Sequence, residues 1–329
     1  MSSHINETKV AVVGLGLLGR GIAACFLAHG FRVVAIDQDN TRHAEAREQI
    51  ATMISELIEF GSFPEALRRD WETRYHPDTV FDAAKDCCFV IESVTESIAA
   101  KEAVYDALEA ILPANVIIAT NTSAIPISQL QSRRKVPARF VGMHWAEPAH
   151  ATRFSELIRG EQTSEETLRT AMDMARRLGK EPCVCRQDIP GFIVNRIGYA
   201  MYREAFHLIE SGVADAATID CAMRNSLGLW ASVCGPMRWI DITGGPELYA
   251  KAMQHVIPTL DASNEVSPVL TELASAGARG IANGRGFYHY TKEESEYWEQ
   301  LYRKHAWRVT KMQQEYFPLE SLAKTGGAA

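Results

Sequence analysis

Residues 9–37, KVAVVGLGLLGRGIAACFLAHGFRVVAID, restrict the fold more than any other stretch of this chain. A short β-branched run leads into a glycine turn, an amphipathic segment closes at His29-Gly30, and a second β run ends at Asp37. This is one βαβ unit. Its turn, Gly14-Leu15-Gly16-Leu17-Leu18-Gly19, has the spacing G-x-G-x-x-G between a strand and a helix. In that setting the glycines permit a tight turn, close approach of a pyrophosphate to the backbone, and close helix–sheet packing, while the helix N-terminus faces the anion. Asp37 closes the second strand, where a carboxylate can accept both ribose hydroxyls and repel a 2′-phosphate. The expected cofactor is NAD.

The alternation continues. Residues 41–75 have helical spacing, and 87–94 (CCFVIESV) read as a buried strand, followed by a helix through KEAVYDALEAIL that Pro113 stops. Further strands are expected at 116–120, 140–144 and 154–158, with a helix over 164–178 capped by Gly179. Strands alternating with helices imply a doubly wound, mostly parallel sheet. After CVCRQDIPGF the apolar spacing becomes helical, and segments at 214–228, 246–256 and 267–276 continue it. The expected fold is therefore α/β over residues 1–187, followed by an all-helical domain over 188–329.

Composition narrows the function classes. With 329 residues, 47% of them hydrophobic and 23% charged, the chain can build two globular cores. A formal net charge of -7 argues against a nucleic-acid surface or a polybasic membrane patch. The start, MSSHINETK, lacks an apolar signal region, and Arg20 interrupts the most apolar early segment, so a cytoplasmic protein is expected. Seven cysteines without framework spacing fit a reducing compartment, and Cys183 and Cys185, on a candidate strand, are not read as a metal pair. No metal site is expected.

The stretch MHWAEPAHATRFSELIRG places His144 twelve residues before Glu156. An imidazole can take a proton from an alcohol near neutral pH, and a carboxylate behind it can hold its tautomer and stabilise the charge it gains. By itself the pairing is a weak signal. The ordered series GLGLLGRGIA, AIDQD, IESVTES with Lys101, TNTSAIPI, GMHWAEP, FSELIRG, LGKEPCVCRQDIPGFIVNRI, CGPMRWIDITGG and NGRGFYHY is far more specific. With these motifs the chain resembles the 3-hydroxyacyl-CoA dehydrogenase family over nearly its whole length.

That resemblance implies a Rossmann-type NAD-binding domain, then a helical domain that dimerises and closes the substrate cleft, and a place in fatty-acid metabolism. It implies His144 as the base that takes the hydroxyl proton while hydride leaves for the nicotinamide, with Glu156 as its partner. Ser123 and Asn195 would hold the substrate oxygen. Glu96 and Lys101 would meet the nicotinamide half of the cofactor, and Leu17, Leu18, Gln38 and Asn121 would complete its site. The substrate would be an L-3-hydroxyacyl group, linked to CoA as in the CoA-using members, and the partner a second copy of the chain.

Two departures bear on the substrate. The family pattern H-x-x-N-P is here H-W-A-E-P, with Glu147 in place of an amide that donates to a carbonyl. Glu147 is protonated, points elsewhere, or serves a different substrate, with Arg153 or His150 as candidate compensating charges. The segment after Asp37, which supplies basic contacts to CoA in CoA-using members, has no lysine between Lys9 and Lys85. A free 3-hydroxy acid, as used by the related gulonate and carnitine dehydrogenases, is the alternative substrate. A non-catalytic protein on the same fold, like the lens crystallin relatives, is the alternative from another class.

Overall fold

The structure, a computed structural model, describes residues 8–319. Its centre is an eight-stranded sheet formed by β1 (Lys9–Val13), β2 (Arg32–Ile36), β3 (Tyr75–Asp78), β4 (Phe89–Glu92), β5 (Ile117–Thr120), β6 (Phe140–His144), β7 (Phe154–Ile158) and β8 (Glu181–Cys185). The strand order is β3-β2-β1-β4-β5-β6-β7-β8. All pairs are parallel except β6 with β7.

The period of two along each strand divides the core in two. Val10 and Val12, Val33 and Ala35, Phe89 and Ile91, and Ala119 face one layer; Ala11 and Val13, Val34 and Ile36, Val90, and Ile118 face the other. Because both faces are covered, the strands are continuous apolar runs rather than alternating ones. Helices α1 (Leu17–Ala28), α2 (Thr41–Gly61) and α6 (Glu165–Arg177) pack on the first layer. Helices α4 (Ile98–Ile111) and α5 (Ile127–Gln131) pack on the second. A short turn of helix, α3 (Leu67–Asp70), follows α2.

The structure corrects the expected helical stretch over 41–75. Helix α2 ends at Gly61, where Ser62 takes a left-handed conformation (φ 61°), and residues 75–78 form β3. Its sequence, YHPD, hides the strand. Pro77 cannot donate to a ladder, which sheet edges tolerate, and β3 is the edge strand beside β2.

The remaining helices are α7 (Val194–Glu210), α8 (Ala216–Ala222), α9 (Gly228–Ala231), α10 (Gly235–Ile242), α11 (Gly245–Val256), α12 (Pro268–Ser275) and α13 (Lys292–Tyr316). A π-helical turn, Met223–Leu227, joins α8 to α9. The chain divides into two compact units, residues 1–195 with 306–329 and residues 196–305. The second unit is wholly helical apart from isolated bridges such as Gly280 with Arg285, and none of its residues is buried. The end of α13 belongs to the first unit: Ala306, Trp307 and Thr310 are buried there, and Trp307 joins the core layer under α1 and α2.

Candidate active site

The glycine loop separates three duties. Gly14 has φ +93°, and a Cβ there would lie 2.6 Å from the Ser93 carbonyl oxygen. At Gly19 a Cβ would meet the Gly14 carbonyl oxygen at 1.9 Å. These two glycines are required by the fold of the loop itself. A Cβ at Gly16 would meet nothing within 4 Å, so that position opens onto space where a phosphate can reach the backbone at the start of α1.

Asp37 is tied to this loop. Its Oδ2 accepts the Leu15 N–H at 2.9 Å and its Oδ1 the Asp39 N–H at 3.0 Å. Each oxygen keeps lone-pair capacity for a ribose hydroxyl. A cleft of about 660 Å³ runs along the carboxyl ends of the strands. At one end it touches Gly14, Gly16, Leu17, Leu18, Asp37 and Gln38; at the other, Glu96, Asn121 and Ser123. The residues present therefore fit a dinucleotide, with its acidic ribose anchor and its open glycine in one groove.

Below the far end lies a buried charge network that the sequence reading largely missed. Glu92, fully buried at the end of β4, accepts from Lys101 Nζ (2.8 Å) and Val94 N–H (2.7 Å) on Oε1, and from Tyr105 Oη (2.7 Å) and Thr120 Oγ1 (2.8 Å) on Oε2. Lys101 is itself fully buried and lies 3.4 Å from Glu96 Oε2. Glu96 Oε1 accepts from Thr122 Oγ1 (2.6 Å) and from the backbone N–H of Ser123 (2.9 Å) and Ala124 (3.1 Å). Burial pushes the Glu96 carboxyl up, but Thr122, Lys101 and the two N–H donors outweigh it and hold the pKa below its ordinary value. Glu96 thus shapes the turn that carries Ser123. The available signal was a carboxylate closing the apolar run FVIE, where an unpaired charge would be costly.

Asn121 bridges two strand ends, donating to Ser93 Oγ (3.1 Å) and accepting the Trp145 N–H (2.9 Å). One residue before Trp145, His144 stands directly opposite Glu156 in the antiparallel β6–β7 pair. Twelve residues of sequence separation collapse to 3.1 Å between His144 Nδ1 and Glu156 Oε2. Glu156 is fully buried, and its other oxygen accepts the N–H groups of Ile193 (2.7 Å) and Val194 (3.3 Å) at the start of α7. A carboxylate there is stabilised by the unpaired donors of a helix N-terminus. The His144 ring packs edge-on against Phe154, at 5.7 Å between centroids. Asn195 falls in the first unit, and its Nδ2 donates to the Ser123 carbonyl at 2.7 Å.

Glu147, half-buried, follows within the same connection and precedes a cis proline peptide bond. His150 and Arg153 are committed to the end of α13 and its neighbours. His150 Nε2 lies 2.8 Å from Glu56 Oε2 beside Trp307. Arg153 donates to the Gln313 carbonyl (2.7 Å) and pairs with Glu181 (2.9 Å). Among the described residues no group of three His, Cys, Asp or Glu side chains could hold a metal ion, and no helix is long and apolar enough to cross a membrane.

Residues 9–189 match the NAD-binding domain of 3-hydroxyacyl-CoA dehydrogenase, and residues 191–290 match its C-terminal domain. The chain is 35% identical over 289 residues to 5-formyl-3-hydroxy-2-methylpyridine 4-carboxylate 5-dehydrogenase of Mesorhizobium japonicum, covering 88% of this chain and 92% of that one. It is 35% identical over 286 residues to a probable 3-hydroxybutyryl-CoA dehydrogenase of Deinococcus radiodurans, covering 86% of this chain and all of that one. The crystal structure of a 5-formyl-3-hydroxy-2-methylpyridine 4-carboxylic acid 5-dehydrogenase, an NAD+-dependent dismutase, superposes with a TM-score of 0.86 at 32% identity, covering 95% of this chain and 98% of that one. With its glycine loop and Asp37 framing an NAD cleft, this chain belongs to the 3-hydroxyacyl-CoA dehydrogenase family of NAD-dependent oxidoreductases.

Proposed function

We propose that His144 is the general base of an NAD-dependent oxidation at a carbinol carbon, and that the substrate is a small free carboxylic acid rather than a CoA thioester. One observation carries the base: His144 Nδ1 is engaged by a buried Glu156 whose other oxygen is held by the start of α7. That arrangement directs proton uptake to Nε2 and stabilises the imidazolium that results. Ser123, on the turn shaped by Glu96, and Asn195, bonded to the Ser123 carbonyl, would hold the substrate oxygen. Bound NAD supplies the hydride acceptor. Asp37 would set the preference for NAD over NADP, with Glu96, Lys101 and Asn121 organising the nicotinamide end.

Three features favour a free acid. Helix α2 has no lysine. Trp307 packs beside its C-terminal end, 6.1 Å from the Phe60 ring and near enough that a Cβ at Gly61 would meet it at 3.2 Å. Glu147 stands where the family resemblance leads one to expect an amide donor. The similarity to a dehydrogenase named for a pyridine carboxylate accords with a compact acidic substrate. The second reading, an L-3-hydroxyacyl-CoA substrate in fatty-acid metabolism, is favoured by the equal identity to a probable 3-hydroxybutyryl-CoA dehydrogenase.

The functional division proposed is a cofactor domain over 1–187 and a helical substrate and dimerisation domain over 188–329, working in the cytoplasm, although by packing residues 188–195 and the end of α13 group with the first unit. The homodimer is supported by the second unit, where Leu229 and Met237 are more than two-thirds exposed. The deciding experiment follows NAD reduction with 3-hydroxybutyrate, gulonate, carnitine, a hydroxymethylpyridine carboxylate and 3-hydroxybutyryl-CoA. Turnover of a free acid at the highest kcat/KM is expected. A thioester optimum would install the second reading, and any turnover that needs His144 would dispose of a purely structural, crystallin-like role.

A further inference from the structure

The connection between the two catalytic strands, residues 145–153, contains Glu147, and nearly every backbone carbonyl in its second half is taken. The Pro148 carbonyl accepts the N–H groups of Ala151 and Thr152. From one side Lys180, fully buried just before β8, donates to the carbonyls of Ala149 (2.6 Å) and Thr152 (2.5 Å), with its ammonium 4.9 Å from the Trp145 ring centroid. From the other side comes α13. Thr310 Oγ1 donates to the Ala151 carbonyl at 2.9 Å, and Arg153 reaches the Gln313 carbonyl. Trp307 Nε1 donates to Glu56 Oε2 at 3.3 Å, the same oxygen that His150 engages.

The match to the family's C-terminal domain ends at residue 290, so this second clamp lies outside it. A segment whose carbonyls are held on two sides cannot drift to accommodate a different ligand. A displacement of about 1 Å at a positioned group can cost a large factor in rate. We propose that the end of α13 is a specificity-determining element, with Thr310 and Trp307 acting as positioning residues that fix the Glu147 segment against the substrate. The inference rests on the reading of His144 as base and deepens it: the same strand that carries the base leads into the clamped segment. Glu147 would then be presented in one geometry, suited to a small polar substrate and set by residues that never touch it.

The test compares Thr310→Val, which keeps the shape and removes the donor, with Thr310→Ser, which restores the donor. Trp307→Phe, which removes the bond to Glu56 while keeping an apolar ring, is the third variant. Hydrogen exchange of the amides over 145–153 needs no substrate; it should accelerate in Thr310→Val and return towards wild type in Thr310→Ser. With 3-hydroxybutyrate and 3-hydroxybutyryl-CoA as probes, Thr310→Val should change the ratio of their kcat/KM values by about threefold to tenfold, the worth of one neutral hydrogen bond. The KM for NAD should stay constant. Exchange unchanged over 145–153, or KM values for NAD and substrate moving together, would overturn the clamp. His144→Ala, run alongside, separates the two ideas: retained turnover there defeats the base whatever Thr310 does, whereas lost turnover with an unmoved 145–153 segment defeats only the clamp.

Discussion

The two units of this chain solve the burial problem differently. In the first, alternate residues of each central strand enter one of two apolar layers, and even charged groups such as Glu92, Lys101 and Glu156 are sealed inside with partners. In the second, residues 196–305 form helix after helix, yet none of their side chains is buried, and Leu229, Met237, Ile242 and Val266 are all more than 60% exposed. A helix gains most of its stability from packing an apolar face rather than from propensity. The first unit therefore finishes its core by itself, and the second presents the surface of one that needs a cover. On the function proposed above, the contrast separates two tasks, with rigid positioning of cofactor and base given to the first unit and association to the second.

The strongest way to break this contrast is at the base. His144→Ala should lower kcat by roughly 10²- to 10⁴-fold, the usual contribution of a positioned general base. NAD affinity from titration and mass from ultracentrifugation should not change. A comparable loss of assembly in this variant would mean that chemistry and association are not separable.

The glycine loop sharpens the account of the first unit. Gly19→Ala forces a Cβ to 1.9 Å from a backbone oxygen, and overpacking of this kind costs on the order of 3 kcal/mol. A melting curve should show it without cofactor. Gly16→Ala meets no neighbour, so its cofactor-free melting temperature should match wild type while NAD binding weakens. Equal melting losses in both would contradict the division of duties.

For the second unit, Leu229→Glu and Met237→Glu place a charge on the exposed apolar surface, and an interface that covers it would bury that charge without a partner. The dissociation constant of the proposed dimer should rise by roughly a hundredfold, since an unpaired buried charge costs several kcal/mol. Melting of the first unit should be little affected. Unaltered sedimentation of both variants would show that these residues lie outside the interface.

The smallest effect concerns pH. Glu96 has a folded pKa below its ordinary 4.5, so its contribution is complete above that value and is lost as pH falls through the lower folded one. Glu96→Gln should therefore show a shallower decline in stability below pH 4.5 than wild type. An identical acid limb in the two proteins would remove Glu96 from the set of groups that organise the Ser123 turn.

The sequence by itself determined what depends on neighbours along the chain. G-x-G-x-x-G needs only a strand before it and a helix after it, and the continuous apolar runs announce strands buried on both faces. The expectation that His144, Glu156, Ser123 and Asn195 act together came from the family resemblance of the motifs around them, since their spacing along the chain is a weak signal by itself. Tertiary structure alone decided the rest. Strand β3 was hidden because YHPD has no apolar period and is a strand only by virtue of the edge of β2 beside it. Lys101 could not be distinguished from a solvated helix residue until Glu92 appeared beneath it. Lys180 and Thr310 lie 31 and 159 residues from the carbonyls they hold, at Ala149 and Ala151. No local pattern encodes such bonds, because a backbone carbonyl has no sequence signature and its partner is chosen by which surfaces the completed fold brings together.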